Sequence, residues 1–141
     1  MDPGQAHGEA SLNFRWPVRI YWEDTDAGGI VFYANYLKFF ERARTEWLRA
    51  RGVAQQALRD ETGVIFVVLD TQVSYRLPAR LDDRLEITVE PERAGGASIV
   101  FTQRAWRDGE LLAEGAIRVA CLDAATLKPR RLPASVVQCL P

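Results

Sequence analysis

The chain has 141 residues, the size of one domain, with 18 basic residues against 19 acidic ones for a formal charge of −1. That balance argues against a dedicated nucleic-acid or anionic-membrane binder, which carries a clustered basic surplus. Hydrophobic residues at 48% and charged residues at 26% make an ordinary globular mixture, and no apolar run approaches the roughly 20 residues of a membrane span.

In chain order, residues 1–13 read as a polar, frayed tail with Pro3, Gly4 and Gly8 and no signal-peptide pattern. A single domain is expected over residues 14–141. Its first strand spans Phe14 to Trp22, with Trp16, Val18, Ile20 and Trp22 on the buried face. A turn-rich stretch, Glu23 to Gly29, comes next. A helix is expected from Ala34 to Arg51, where Tyr36, Phe40, Ala43 and Trp47 form an apolar stripe that Leu37 and Leu48 widen. Asn35 is its expected N-cap and Gly52 its left-handed terminator. A weaker helical turn covers Ala54 to Asp60 and ends at Gly63. Strands follow at Val64–Leu69 running on to Leu77, at Leu85–Glu90, at Ser98–Trp106 and at Leu111–Leu122. The Asp108-Gly109 pair signals a tight hairpin between the last two. Strand, long helix and meander together define an α+β class, with the helix on one face of an antiparallel sheet.

The only histidine is His7, in the tail, so the body holds no imidazole. A Ser–His or Cys–His nucleophile pair and a His-ligated metal are therefore improbable within one chain, and no metal or cofactor is expected. Cys121 and Cys139 lack metal spacing and read as reduced cytosolic thiols. Chemistry then rests on carboxylates, hydroxyls and backbone amides. The segment that combines them is Tyr21-Trp22-Glu23-Asp24-Thr25-Asp26-Ala27-Gly28-Gly29-Ile30-Val31-Phe32-Tyr33-Ala34-Asn35-Tyr36. Acidic residues precede two glycines, and the chain then opens a helix. Glycine permits close approach of a ligand to the backbone, and the first amides of a helix have no internal acceptor. A carboxylate beside such an amide suits attack on a carbonyl, with the amide receiving the oxyanion.

This run, continuing through Phe39-Phe40-Glu41-Arg42-Ala43-Arg44-Thr45-Glu46-Trp47-Leu48, resembles the acyl-CoA thioesterases of the 4-hydroxybenzoyl-CoA thioesterase family. It is most similar to the Tol-Pal-associated acyl-CoA thioesterase branch. Tyr75-Arg76-Leu77-Pro78-Ala79-Arg80-Leu81-Asp82-Asp83 and Lys128-Pro129-Arg130-Arg131-Leu132-Pro133 agree with it, so the likeness covers about Val18 to Pro133. The resemblance implies a hot-dog fold, an antiparallel five-stranded sheet wrapped around one long helix. It also implies homo-oligomers, a dimer or a homotetramer built as a dimer of dimers, with active sites at the dimer interface. By position, Asp26 matches the catalytic aspartate, either nucleophile or general base, and the Tyr33 amide matches the oxyanion donor. Gly28 and Gly29 would make room for the thioester, with Asn35 in support. Lys128, Arg130 and Arg131 would meet the CoA phosphates, because Gly95-Gly96 stands where relatives often carry basic residues. Tyr33 departs from the branch, which usually has histidine there. The implied activity is hydrolysis of a short- or medium-chain or aromatic acyl-CoA in the cytoplasm, or at the periphery of the inner membrane. The alternative is a weakly catalytic or non-catalytic protein that binds envelope (Tol-Pal) or acyl-carrier partners; no nucleic-acid partner is expected.

Each of these residues also has a plainer reading. Asp26 before glycine is common turn chemistry. Glu23 and Asp24 read as solvated or paired with arginines, and Glu41 as bonded to Arg44 or Arg42. Tyr36, Phe40 and Trp47 read as core, and Arg76 and Arg80 as surface or interface charges.

Overall fold

The computed structural model describes residues 14–141; the expected tail, with His7, lies outside them. Strand β1 (Arg15–Arg19) leads into a 3-10 turn, Trp22–Asp24, and then to helix α1 (Asn35–Ala50). Helix α2 (Gln55–Thr62) precedes strands β2 (Val64–Tyr75), β3 (Arg84–Thr88), β4 (Glu90–Arg93), β5 (Ser98–Arg107) and β6 (Glu110–Asp123), and a short helix α3 (Ala134–Val137) follows them. The sheet is antiparallel throughout, in the order β1-β3-β5-β6-β2, with β4 also paired to β5. This is the expected α+β hot-dog arrangement, but with six strands where five were expected. The run starting at Leu85 does not stop at Glu90: after Val89 it resumes against β5 as a separate strand, from Glu90↔Thr102 to Arg93↔Ile99.

The sheet wraps α1 because each contributes a continuous apolar face, the helix with a period of about 3.6 residues and the strands with a period of about two. Tyr36, Phe39, Phe40, Ala43, Trp47 and Leu48 are buried on the helix, and Leu85, Ile87, Ile99, Phe101, Ala105, Leu112 and Ile117 on the strands. Gly115 on β6 is required by this contact, since a Cβ there would stand 2.8 Å from Phe40 Cε2. Gln103 is the one fully buried polar side chain of the β5 inner face. Its amide donates to the Phe40 carbonyl at 2.9 Å, and its oxygen accepts from Arg44 Nη1 at 2.9 Å, which ties helix to sheet.

Helix α1 ends as expected. Gly52 has φ +83°, its N–H donates to the Arg49 carbonyl, and that of Val53 donates to the Leu48 carbonyl, a Schellman closure in which buried Val53 and Leu48 supply the apolar partners. The Asp108-Gly109 hairpin also forms, both residues having positive φ. Three expectations change. Leu37 is 41% exposed and leaves the apolar stripe, its place taken by Phe39 at 0%. Strand β1 stops at Arg19, and the 3-10 turn that follows swings Trp22 out to 78% exposure. Glu41 binds the Thr45 hydroxyl on its own helix face, while Arg44 turns inward to Gln103.

The two edges of the sheet differ. Strand β1 is short and carries Pro17, Arg15 and Arg19, features that discourage further pairing. Strand β2 is 12 residues long, and Val68, Leu69 and Tyr75 are exposed along it.

Candidate active site

The loop between β1 and α1 is folded by its own backbone. Asp26 N–H donates to the Ile30 carbonyl and Phe32 N–H to the Asp24 carbonyl, both at 2.9 Å, so residues 24–26 lie antiparallel beside 30–32. Gly28 and Gly29 make the reversal, Gly29 with φ +77°. Val31 N–H then reaches the Ala79 carbonyl at 2.9 Å and anchors the loop to the segment that precedes β3.

The two aspartates of this loop have different work. Asp24 is buried and holds the loop shut: one carboxylate oxygen accepts the Tyr21 N–H at 2.8 Å and the other the Asn35 side-chain amide at 2.8 Å. This replaces the expected solvent or arginine partners. It also moves Asn35 from N-cap to first residue of the helix, with Ala34 at the cap position and no side-chain cap bond. Glu23 is exposed, as expected. Asp26 is exposed, and its Oδ1 accepts the Gly28 N–H at 2.8 Å. That bond is the turn chemistry of the plainer reading. It takes one oxygen and leaves Oδ2 without a partner among the described residues.

At the start of α1, the Asn35 N–H donates to the Phe32 carbonyl at 2.8 Å and the Leu37 N–H to the Ala34 carbonyl at 3.1 Å. The N–H groups of Tyr33 and Ala34 have no acceptor among the described residues, the usual state of a helix's first amides. With the helix dipole behind them, they favour negative charge. The rings of Phe32, Tyr33, Tyr36 and Tyr75 gather around this turn. Tyr33 and Tyr75 meet edge-on at 6.2 Å between centroids, and Tyr75 meets Tyr36 at 5.5 Å. The Tyr75 hydroxyl donates to the Tyr33 carbonyl at 2.8 Å. The sequence places Tyr75 in a strand and at the head of a run shared with the resembled family, and Gln103 within the Ser98–Trp106 strand, and assigns a role at the site to neither. The pattern of burial every second residue through Ile99, Phe101 and Ala105 points at Gln103, but nothing in the spacing marks Tyr75.

The basic residues lie elsewhere. Lys128, Arg130 and Arg131 are exposed beside the β6 terminus, where Leu122 bridges Pro129. Arg130 binds Asp123 at 2.8 Å and the Thr62 carbonyl at 3.2 Å. N–H groups of Thr126 and Ala125, with that guanidinium, hold the Asp123 carboxyl below its ordinary range. The cluster thus sits at the Val64 end of β2, whereas Tyr33 sits at the Tyr75 end, about 35 Å away along a 12-residue strand. One chain does not bring them together.

A cavity of about 160 Å³ opens between α1 and the first half of β2, with Leu48, Phe66, Val68 and Phe101 among its walls and Glu41 and Arg44 as polar members. Burial pulls the Arg44 guanidinium below its ordinary pKa, against the opposing effect of Glu41. Among the described residues no group of His, Cys, Asp or Glu is disposed to hold a metal ion, and no helix is long and apolar enough to cross a membrane.

A six-stranded antiparallel sheet wrapped around one long helix is the hot-dog architecture of thioesterases. The family model for the thioesterase superfamily matches residues 28–114. An acyl-CoA thioester hydrolase of Escherichia coli is 54% identical over 125 residues, covering 88% of this chain and 92% of its own. An acyl-CoA thioesterase of Haemophilus influenzae is 46% identical, covering 87% and 90%. A solved structure from Aquifex aeolicus superposes with a TM-score of 0.84 at 27% identity, covering 91% of this chain and 99% of its own. The chain belongs to the thioesterase superfamily.

The division of labour between the two aspartates is testable by stability. Asp24→Ala leaves the buried Asn35 amide and the Tyr21 N–H without acceptors and costs about 1–3 kcal/mol. Asp26→Ala, at an exposed position, stays within about 1 kcal/mol of the parent. Urea denaturation of the two variants checks this, and equal losses would contradict it.

Proposed function

We propose that the chain hydrolyses the thioester of an acyl-CoA to the free acid and CoA, with Asp26 and the Tyr33 amide as the reacting pair. The observation that carries this reading is the loop itself. An exposed carboxylate with one oxygen tied and one free precedes, by seven residues of tightly bonded chain, an amide with no acceptor. The tied oxygen fixes the carboxylate, and the free one acts on the thioester carbonyl, either directly as nucleophile or through a water. Charge that develops on the carbonyl oxygen is received by the Tyr33 N–H at the positive end of α1. Gly28 and Gly29 keep side chains away from this approach. Asn35 is no substrate ligand in this scheme; through Asp24 it keeps the loop closed.

Lys128, Arg130 and Arg131 serve the CoA phosphates of a partner's site. Two copies joined two-fold along their exposed β2 edges would run antiparallel, so the Val64 end of one strand lies beside the Tyr75 end of the other. That exchange carries the basic cluster across the distance that separates it from Asp26 within a chain. The dimer is part of this proposal, and a dimer of dimers is compatible with it. The apolar-walled cavity starts two turns along α1 from Tyr33, at Glu41, and extends to four turns, at Leu48, beside the Val64 end of β2; the same exchange would bring a partner's copy of it towards the thioester, which supports a short or medium-length acyl group.

Asp26→Asn is expected to lower kcat by on the order of 10³-fold or more with the fold intact. Turnover assays on hexanoyl-CoA and benzoyl-CoA check this; parent-like turnover would remove Asp26 from the mechanism. Replacing Lys128, Arg130 and Arg131 together by Gln is expected to raise KM for hexanoyl-CoA about tenfold or more while leaving kcat/KM for S-hexanoyl-N-acetylcysteamine, which has no phosphate, within about twofold. Equal losses on both substrates would contradict the assignment.

A further inference from the structure

Tyr33 precedes the cap residue Ala34, so its carbonyl lies outside the helical hydrogen-bond ladder, and the Leu37 N–H donates to the Ala34 carbonyl at 3.1 Å. The Tyr33 carbonyl therefore has one donor among the described residues, the Tyr75 hydroxyl at 2.8 Å, which comes from the far end of β2, 42 residues away. A trans peptide points its C=O and N–H in opposite directions, and none of the described peptide bonds is cis. A donor that fixes the Tyr33 carbonyl consequently fixes the N–H of the same peptide, which belongs to Ala34. Ala34 has helical dihedrals, φ −72° and ψ −18°, so its N–H follows that of Tyr33 at the mouth of the helix, and neither has an acceptor. The preceding peptide is held in the same manner, with its Phe32 carbonyl accepting from Asn35 N–H at 2.8 Å and its Tyr33 N–H left free.

We propose that Tyr75 is a positioning residue for thioester hydrolysis, whose hydroxyl holds the 33–34 peptide so that the Ala34 N–H stands beside the Tyr33 N–H as a second oxyanion donor. The proposal rests on the Asp26–Tyr33 reading and adds a second donor and its support to it. The bond also polarises the peptide, because an acceptor carbonyl drawn toward a donor makes its own N–H a stronger donor. Tyr75 is suited to this work. Partial burial first, and the neighbouring Tyr33 phenol second, raise its pKa, so the hydroxyl keeps its proton at neutral pH and above. Its ring is braced edge-on by both Tyr33 and Tyr36, which limits the directions the hydroxyl can take. The consequence for the fold is that β2, the edge strand facing a second copy in the proposed dimer, also reaches the reacting centre. Formation of the dimer would then order Tyr75 and the oxyanion site together.

The test is Tyr75→Phe, which keeps the ring and removes only the hydroxyl. With hexanoyl-CoA, kcat is expected to fall about 10- to 30-fold, less than the 10²–10³-fold typical of losing a donor outright, while KM stays within about twofold. A purely structural role would not produce a second expected change. In the ketone analogue of hexanoyl-CoA, where a methylene replaces the sulfur, the bound carbonyl stretch is expected to move up toward its solution frequency in Tyr75→Phe relative to the parent. An unaltered kcat, or an unaltered stretch in folded Tyr75→Phe protein, overturns the proposal. Asp26→Asn in the same assays separates the two levels. If it is inactive while Tyr75→Phe is parent-like, Tyr75 is excluded and the reacting pair stands; if it is fully active, the underlying reading falls.

Discussion

The buried contact between Asp24 and Asn35 is the constraint on which the site depends. It joins the end of the 3-10 turn to the first residue of α1, eleven positions on, so the loop between them is closed at both ends. Inside that closure the backbone bonds to Ile30 and Asp24 leave little freedom to the residues that matter. Asp26 is held on the outside of the turn and the first helical amides at its mouth. A flexible loop would have to order these groups during each turnover, at a cost to the barrier that preorganised donors avoid. The protein thus gives its two loop aspartates opposite environments, one dry and fully bonded, the other wet and half bonded, and in the proposed mechanism it is the second that engages the substrate.

Much of the fold is legible in the residues. The stripe of Tyr36, Phe40, Ala43 and Trp47, the glycines at 52 and 63 and the Asp108-Gly109 turn each encode local geometry by short-range sterics or period, and each forms. Trp22 failed because alternation was carried past Arg19 into a segment whose local bonds make a 3-10 turn. The added strand β4 escaped because Glu90-Pro91-Glu92-Arg93 is polar, and its pairing partner on β5 is set by tertiary register rather than by composition. Asn35 has ordinary capping chemistry, yet a buried acceptor eleven residues back outcompetes the cap.

For the proposed site, the loop residues stand out in the sequence because their chemistry is contiguous: Asp26, Gly28, Gly29 and Tyr33 lie within eight positions. What sequence could not give was anything that arrives from a distance. Tyr75 reaches Tyr33 across 42 residues, Gln103 reaches Phe40 across 63, and the basic cluster lies at the wrong end of β2 for its own chain. The proposed dimer would resolve the last mismatch through the contrast between edges. The β1 edge is blocked by proline and arginine, the β2 edge is long and apolar, and an antiparallel match along β2 exchanges its ends.

The central claim is that a carbonyl bound at this loop lies between the Asp26 carboxylate and the free amides at the head of α1. The most direct measurement is a crystal structure of the Asp26→Asn protein with a ketone analogue of hexanoyl-CoA. The account predicts the ketone oxygen within hydrogen-bond distance, about 3 Å, of the Tyr33 N–H, with the side chain of residue 26 on the face of its carbon. A ketone oxygen directed to solvent, or bound by groups outside this turn, would contradict it.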